Sequence, residues 1–334
     1  MDGLEIVPVR TRRERADFIR LPWAIYQNDP YWVPPLVSEM KTLLDVSRHP
    51  FFRHSSADFF LARRNGRWVG RIAAILNRNH NHFHKEKTAF FGFFETVNDM
   101  DVSSALLDCA GQWARDRGML QLRGPANYST NETTGLLIEG FDSFPCIMMP
   151  HNPPYYSDLI ESSGFKKAMD LFAWDWNVNN VVNPKVERVA RKLLRRAEVR
   201  VRPLDMRHFQ REIEVIRDIY NDAWNGNWGF VPMTDAEFDH MAKSLKTIVD
   251  PRIVLIAEKR GAPVAFSLSI PDINPALKKV NGRLFPVGLP LLLYYSRRIR
   301  RVRTMALGVA RKAQSWSGLG AALYYESFRR GTEA

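Results

Sequence analysis

The chain has 334 residues, which is more than one small core needs and enough for two domains. A hydrophobic content of 45% and a charged content of 25% are typical of a globular protein and exclude a disordered chain. The net charge of +12 favours anionic partners such as cofactor phosphates, nucleic acid or an anionic membrane face, although a solvated basic surface is the plainer alternative.

Cysteine usage and hydropathy predict a cytoplasmic protein. Only Cys109 and Cys146 are present, so no disulfide framework is implied and a reducing compartment fits. The N-terminus has no basic segment followed by an apolar run, so we expect no signal peptide. The longest apolar run, residues 284–295, is interrupted by proline and glycine and is too short to cross a bilayer.

The first half of the chain alternates strand and helix patterns. Asn65-Gly66 between two apolar runs is a strong signal for a β-hairpin. Period-2 and period-3.6 patterns predict the other elements. The predicted strands are 4–9, 58–64, 67–75, 88–97, 121–124 and 167–176, and the predicted helices are 10–27, 101–117 and 153–163.

The pattern then repeats. A basic helix, residues 184–196, is interpreted as a link. After it, Pro203 follows Pro8 and Gly261 follows Gly66 at the same spacing of 195 residues, in similar surroundings. One constant offset across two separated matches predicts two copies of one domain, and chance matching of hairpin residues is the less favoured alternative. The predicted domains are 1–178 and 198–334, with a linker helix over 179–197.

The stretch from Arg300 to Arg329 predicts a strand, a basic loop and a helix opened by glycine. Gly318-Leu319-Gly320 would let the backbone approach an anion, and the free N–H groups of the first helical turn would point at it. Arg311 and Lys312 would add positive charge. A Gly-x-Gly sequence alone is a weak signal, since many strand–helix turns carry glycine only for tight packing.

This stretch resembles the acyl-CoA loop of the GNAT superfamily of N-acetyltransferases. The resemblance implies that acetyl-CoA, or another acyl-CoA, is bound as co-substrate without a metal. Ser315 stands where the superfamily usually has Arg or Gln, and Gln314 is one residue away from that position. The residues that the resemblance assigns to the cofactor are Leu307, Gly308, Val309, Arg311, Lys312, Gln314, Ser315, Gly318, Leu319, Gly320 and Ala321.

The order of elements in the first half also resembles a GNAT domain. Only Asn98-Asp99-Met100 joins its strand to the following helix, with no glycine and no basic loop. We therefore expect a first copy that keeps the fold and has lost ordinary cofactor binding. The predicted fold class is α/β, with two tandem GNAT-like domains, each a mixed and mostly antiparallel sheet flanked by helices.

The second copy is expected to lack its C-terminal elements, because a strand, a helix and closing strands of the superfamily would follow Ala334. The tyrosine that often protonates the leaving thiolate lies in that part of the fold. The resemblance therefore names no general acid here.

The acceptor amine is predicted to meet residues 220–232, which follow the first helix of the second copy. Aromatic and amide groups with one carboxylate suit a polar or cationic substrate, although a capped turn anchored by tryptophan is an equal alternative. Asp222 is a candidate base or amine ligand, and Glu132 in the polar loop 124–135 is a second candidate carboxylate. The predicted substrate-binding residues are Tyr220, Asn221, Trp224, Asn225 and Trp228.

A third cluster, His80, His82 and His84, has a spacing that metal sites use, but it is interpreted as a solvated strand end rather than a metal site. The resemblance as a whole implies an acyl-CoA-dependent N-acyltransferase acting on an amine of a small molecule or peptide. The alternatives are a non-catalytic protein that binds RNA, another anion or a protein, and an aminoacyl or long-chain acyl transferase that uses tRNA or acyl carrier protein as donor. Nucleic acid is allowed as a partner by the charge but is not favoured.

Overall fold

The structure is a computed structural model, and it describes residues 3–177, 179, 182–316 and 318–333. The strands in chain order are β1 (Leu4–Pro8), β2 (Ser56–Arg64), β3 (Arg67–Leu76), β4 (Thr88–Thr96), β5 (Gln121–Arg123), β6 (Val199–Pro203), β7 (Val254–Lys259), β8 (Ala262–Pro271) and β9 (Val302–Val309).

The helices in chain order are α1 (Arg12–Ile25), α2 (Val37–Leu43), α3 (Arg78–His84), α4 (Met100–Arg115), α5 (Tyr156–Ser162), α6 (Pro184–Leu194), α7 (Phe209–Ala223), α8 (Asp235–Leu245), α9 (Asn274–Val280), α10 (Gly288–Ser296) and α11 (Leu319–Glu333). The chain divides into two compact units. The first unit is Met1–Leu171 with Asn274–Arg298, and the second is Phe172–Ile273 with Ile299–Ala334. The segment that carries α9 and α10 thus belongs to the first unit, although it lies within the sequence range 198–334.

The first unit is built on a sheet of order β1-β2-β3-β4-β5, in which β5 runs parallel to β4 and the other neighbours are antiparallel. Successive side chains of β3 point to opposite faces of the sheet, as in any β-strand, and therefore pack into two different cores. Ile72 and Ala74 pack under α4 and α5, whereas Ala73 and Ile75 pack against α1 and α2. Both faces of this sheet are therefore covered by helices.

The second unit has a sheet of order β6-β7-β8-β9, with all neighbours antiparallel. Successive side chains of its strand β7 also point to opposite faces of the sheet. Leu255 and Ala257 belong to the core with α6 and α11, and Val254 and Ile256 belong to the core with α7 and α8. The predicted fold class, α/β with two mostly antiparallel sheets flanked by helices, is confirmed, and only the first sheet is mixed.

The repeat predicted at an offset of 195 residues is visible in the first three strands of each unit. Strands β1 and β6 start and end at that offset, and so do β3 and β8. The register shift between Ala62 and Arg63 recurs between Ala257 and Glu258. Both hairpins turn through two residues of positive φ, Asn65-Gly66 in the first unit and Arg260-Gly261 in the second. The two units are thus copies of one fold down to the position of a β-bulge.

Two predicted elements are wrong. Residues 167–176 form no strand, and their alternating apolar side chains, including Leu171 and Trp174, are exposed because no neighbouring strand pairs with them. The histidine cluster forms helix α3 and not a strand end, since the Asn77 side chain accepts the N–H of His80 at 2.9 Å and caps a helix. Among the described residues, no group of three His, Cys, Asp or Glu could hold a metal ion, and no helix is long and apolar enough to cross a membrane.

Candidate functional site

The joint between β9 and α11 has the predicted form of strand, loop and helix. After Val309 the chain makes a short 3-10 turn and reaches Gly318, whose φ is +108°. A side chain at Gly318 would be strained by that φ, and its Cβ would lie 2.9 Å from Cγ1 of Val189 on α6. Glycine is therefore required here for two separate reasons, backbone conformation and close packing.

The first turn of α11 is open toward its surroundings. The N–H of Ala322 donates to the oxygen of Gly318 at 2.8 Å, so the N–H groups that come before Ala322 have no partner within the helix. A Cβ on Gly320 would meet nothing within 4 Å. Leu319 is buried and fixes the helix to its sheet. Ala321 completes a turn that has little side-chain bulk and could approach a phosphate group closely.

Positive charge surrounds this joint. Arg311 and Lys312 are exposed on the 3-10 turn. The Nζ of Lys259 lies 3.4 Å from the centroid of the Trp316 ring. The guanidinium carbon of Arg196 lies 5.8 Å from the same centroid. Cations from three parts of the chain thus lie on, or in contact with, the loop before Gly318, and positive charge favours phosphate binding.

Gln314 and Ser315, two polar residues that were predicted to bind the cofactor, lie on the loop before α11. Gln314 donates from Nε2 to the oxygen of Val309 at 3.4 Å, so its amide turns back toward the strand. Ser315 is exposed. Neither side chain is placed in the first turn of α11, where the backbone and the cations remain the groups suited to an anion.

Strand β9 is the terminal strand of the sheet within the described residues. Gly308 faces Phe266, and a Cβ there would lie 2.7 Å from Cε1 of Phe266 and 3.1 Å from Cβ of Ala223. The indole N–H of Trp224 donates to the oxygen of Leu307 at 3.1 Å. Gly308 therefore allows α7 to pack closely on β9, and Trp224 is fixed to the strand beside it.

Asp222 contacts the glycine-bearing joint directly. Its Oδ2 accepts the backbone N–H of Arg311 at 2.7 Å, and its Oδ1 lies 3.9 Å from the Arg311 Nε. The carboxylate is 42% exposed. This candidate base therefore ties the end of α7 to the start of the loop.

The predicted acceptor residues divide into packed and exposed ones. Tyr220 packs against the rings of Phe230 and Phe266, and burial raises the pKa of its hydroxyl. Asn221 donates to the oxygen of Met233 and accepts its N–H, both at 3.3 Å. The exposed members of the set are Asn225 and Trp228.

In the first unit, the polar loop 124–135 covers β4 beyond the point where β5 stops pairing. Ala126 donates its N–H to the oxygen of Phe91 at 2.8 Å, and the Asn127 Oδ1 accepts the N–H of Phe93 at 2.8 Å. A Cβ on Gly92 would lie 2.3 Å from the Ala126 oxygen. Beyond the last residue of β4 that pairs with β5, the loop itself therefore hydrogen-bonds to β4.

Glu132, the second candidate carboxylate, lies in a turn of this loop, where its N–H donates to the Ser129 oxygen at 3.1 Å. Tyr128 anchors the same loop in the core and donates its hydroxyl to the oxygen of Leu43 at 2.8 Å. Burial, and next the charge of Glu132, raise the pKa of Tyr128. The structure thus places Glu132 in the first unit, beside a rigid tyrosine anchor.

The sequence analysis missed a buried ionisable cluster in the first unit. Glu95 on β4 accepts the hydroxyls of Tyr26 and Tyr156, each at 2.8 Å, and the Arg71 Nη2 lies 3.4 Å from its other oxygen. Burial raises the pKa of Glu95 more than Arg71 and the tyrosines lower it. The cluster joins α1 and α5 to the sheet. The sequence could have revealed the cluster, because Arg71 and Glu95 each lie within an apolar strand and such charges are seldom buried without a partner.

Comparison with known proteins identifies close relatives. The chain is 36% identical over 308 residues to protein YghO of Escherichia coli, covering 90% of this chain and 78% of that protein. It is 35% identical over 315 residues to the bacterial ceramide synthase of Caulobacter vibrioides, covering 93% of this chain and 82% of that protein. No protein-family model matches.

Among solved structures, a tandem GNAT protein from the clavulanic acid biosynthesis pathway aligns over 98% of this chain and 85% of its own, with a TM-score of 0.48 and 14% identity. The sequence relatives are similar over nearly the whole chain, and the chain itself contains the same fold twice. The chain, which contains two units of one fold in tandem, belongs to the family that includes protein YghO and the bacterial ceramide synthase.

Proposed function

We propose that this protein is an acyl-CoA-dependent N-acyltransferase whose acceptor is a long-chain amino alcohol. The observation that carries the proposal is the joint between β9 and α11, where Gly318 and Gly320 leave the first helical turn bare beside several cations. Backbone N–H groups and cations at a helix N-terminus suit the pyrophosphate of CoA.

The acceptor class is inferred from the relative named bacterial ceramide synthase, which is 35% identical over 93% of this chain. A ceramide is the amide of a fatty acid with a long-chain amino alcohol. In the corresponding reaction here, the neutral amine attacks the thioester carbonyl, a C–N bond forms, the C–S bond breaks, and CoA leaves as thiolate. The amine nitrogen loses one proton and the thiolate gains one.

Each chain group has a distinct part in this proposal. The first turn of α11 holds the phosphates, and the exposed edge of β9 orients the pantetheine arm of CoA by backbone hydrogen bonds. Asp222 holds the loop through the Arg311 N–H. Asn225 and Trp228 remain accessible to an acceptor. Trp228 offers an apolar face that would suit the acceptor's alkyl chain.

The sharpest test compares two substitutions on one helix. Gly320→Glu introduces a carboxylate into open space at the start of α11, where a negative charge stabilises the helix itself and opposes only a bound phosphate. We expect CoA binding, measured by isothermal titration, to weaken about tenfold or more because like charges meet near the helix end. Gly331→Glu, also in open space on α11, is the matched control and should bind CoA as the unaltered protein does.

Turnover is measured as thiol release from acyl-CoAs of two, eight and sixteen carbons, with sphinganine, a short peptide and an aminoglycoside offered as acceptors. We expect release to depend on sphinganine. Binding of CoA with turnover only on the peptide or the aminoglycoside would retain the acyltransferase and reject the acceptor class. Failure of the unaltered protein to bind CoA would contradict the proposal and favour a non-catalytic binding protein.

A further inference from the structure

The segment that carries α9 and α10 presents an apolar surface that the repeat does not require. In the first copy, residues 77–87 join β3 to β4 and contain only α3. In the second copy, residues 272–301 join β8 to β9, and α10 is additional. We call Phe285, Val287, Leu289, Leu293 and Tyr294 the apolar tip of this segment; all five side chains are more than half exposed, Phe285 to 88%.

The base of the segment is held firmly by the rest of its unit. Trp23 donates its indole N–H to the Asn281 Oδ1 at 2.8 Å, and the N–H of Val37 donates to the oxygen of Gly282 at 3.0 Å. The Lys278 Nζ donates to the oxygen of Trp32 at 2.6 Å. Since the base is fixed by three separate contacts, the exposure of the tip belongs to the packed structure and not to a loose connection.

The start of α10 also packs closely against α9 and the residues that join the two helices. A Cβ on Gly288 would lie 1.9 Å from the oxygen of Arg283 and 3.1 Å from Cγ1 of Val280 on α9. Only glycine allows this approach, so α10 is seated tightly on one side. Every residue from Leu289 to Tyr295 is apolar or aromatic, and of the residues of α10 only Gly288 is buried.

Positive charge borders the apolar tip. Residues 274–298 contain two lysines and three arginines and no aspartate or glutamate. Arg283 precedes the tip, and Arg297 and Arg298 follow it, all three exposed. The guanidinium of Arg298 lies 4.3 Å from the centroid of the Tyr294 ring, which places the cation at the margin of the apolar surface.

We propose that the apolar tip docks on the surface of an anionic phospholipid bilayer. Aliphatic and aromatic side chains edged by arginine suit the boundary between acyl chains and head groups, where the apolar face enters and the cations meet lipid phosphates. Helix α10 has nine residues, about 14 Å at the α-helical rise, so it lies in the interface and does not cross it. The charge complementarity selects this occupant over a second copy of the chain, because a second copy would set the same five cations against themselves.

The test is co-sedimentation of the full chain with vesicles, in the absence of acyl-CoA and acceptor, so its outcome is independent of the proposed function. We expect binding to vesicles of phosphatidylcholine with 30% phosphatidylglycerol and weaker binding to phosphatidylcholine alone. A triple variant, Phe285→Ser, Leu289→Ser and Leu293→Ser, should reduce binding about tenfold or more. The double variant Arg297→Gln, Arg298→Gln should reduce it about twenty-five-fold on anionic vesicles, from roughly a factor of five for each cation.

Leu120→Ser is the matched control, since Leu120 is an apolar side chain of the same unit that is 80% exposed and lies outside the segment 274–298. It should leave vesicle binding unchanged. Circular dichroism of all variants should match the unaltered protein because the changed side chains are exposed. The proposal is overturned if the unaltered protein stays in the supernatant with anionic vesicles, or if the triple variant binds them equally well. It is equally overturned if light scattering shows a dimer that the triple variant converts to a monomer.

Discussion

The same strand-to-helix joint is built in two different ways in the two units. In the first unit β4 leads to α4 through three residues, and the Asp99 side chain accepts the N–H of Val102 and pairs with Arg64. In the second unit β9 leads to α11 through a longer loop that ends in Gly318. A carboxylate of the chain occupies the first helix end, whereas the glycine at the second has no side chain to do so. One copy therefore satisfies its helix N-terminus with its own carboxylate, whereas at the second we propose that an anion binds.

The two units also differ at one pair of equivalent residues in the sheet. Arg71 and Glu95 are partners in the register of β3 and β4, and the equivalent partners in β8 and β9 are Phe266 and Gly308. The first copy buries an ion pair with two tyrosine hydroxyls on its carboxylate, and the second packs a ring against bare backbone. The first copy thus uses this position to join α1 and α5 to the sheet, while the second uses it to seat α7 on the strand.

The largest expected effect comes from breaking the buried pair. Arg71→Met leaves Glu95 without its cation, in a place where the two side chains are only 6% and 14% exposed. We expect a loss of about 3–5 kcal/mol in the free energy of unfolding, because an unpaired buried charge is costly. Chemical denaturation followed by circular dichroism measures it.

The control for this loss is the double variant Arg71→Met, Glu95→Gln, which keeps an acceptor oxygen for the tyrosines and removes both charges. It should recover most of the lost stability. A loss from the single change of less than about 1 kcal/mol, the size of a surface ion pair, would mean that water reaches the cluster.

The equivalent position of the second unit is tested by Gly308→Val. The new side chain would meet Phe266 and Ala223, so we expect a loss of about 1–3 kcal/mol from overpacking. Gly320→Ala is the matched control, since that glycine lies in open space within α11 and alanine should stabilise the helix by up to about 1 kcal/mol. Equal thermal midpoints for the two variants would show that β9 and α7 are not packed as described.

The joint of the first unit is tested by Asp99→Ala, which removes both the helix cap and the partner of Arg64. We expect a loss of about 1–2 kcal/mol. Burial raises the pKa of Asp99, but the Val102 N–H and Arg64 together lower it below the ordinary value for an aspartate, about 3.9. The stabilisation is therefore complete above that value and is lost as the pH falls through the lowered folded-state pKa.

Asp99→Asn separates the two parts of this effect, because it keeps a capping oxygen and abolishes the acid-dependent loss. Denaturation midpoints from pH 2 to 6 give the comparison. Both variants should bind CoA as the unaltered protein does. A weakened CoA affinity in either would place the cofactor at the first joint and not at the second.

The smallest expected effect is that of Asp222→Asn at the second joint. Asparagine can still accept the Arg311 N–H, but the charge that attracts the guanidinium is gone. We expect CoA affinity to fall about two- to fivefold, as for the weakening of one charge-assisted hydrogen bond. Asp218→Asn, on the same helix and 70% exposed, should leave titration curves unchanged. A larger loss of turnover than of affinity would assign Asp222 to the chemistry itself.

Local pattern was sufficient for much of the fold. The Asn65-Gly66 hairpin, helices α1 and α7, and the repeat at 195 residues follow from turn chemistry and apolar periodicity, which act between residues near in sequence. The glycine turn before α11 was also visible, since Gly318 needs a backbone conformation that few other residues adopt. Residues 167–176 show where local pattern fails. Their apolar and polar side chains alternate as in a strand, but a strand forms only where a neighbouring strand pairs with it.

The sequence by itself determined two copies of one fold and a glycine-opened helix in the second copy. Only the tertiary structure decided what each copy does with its equivalent positions. Arg71 and Glu95 meet through strand register and are completed by tyrosines from two helices, a combination of distant segments that no local pattern encodes. The same holds for α9 and α10, which continue the second copy in sequence and pack into the first unit, because packing follows surface contact and not chain order.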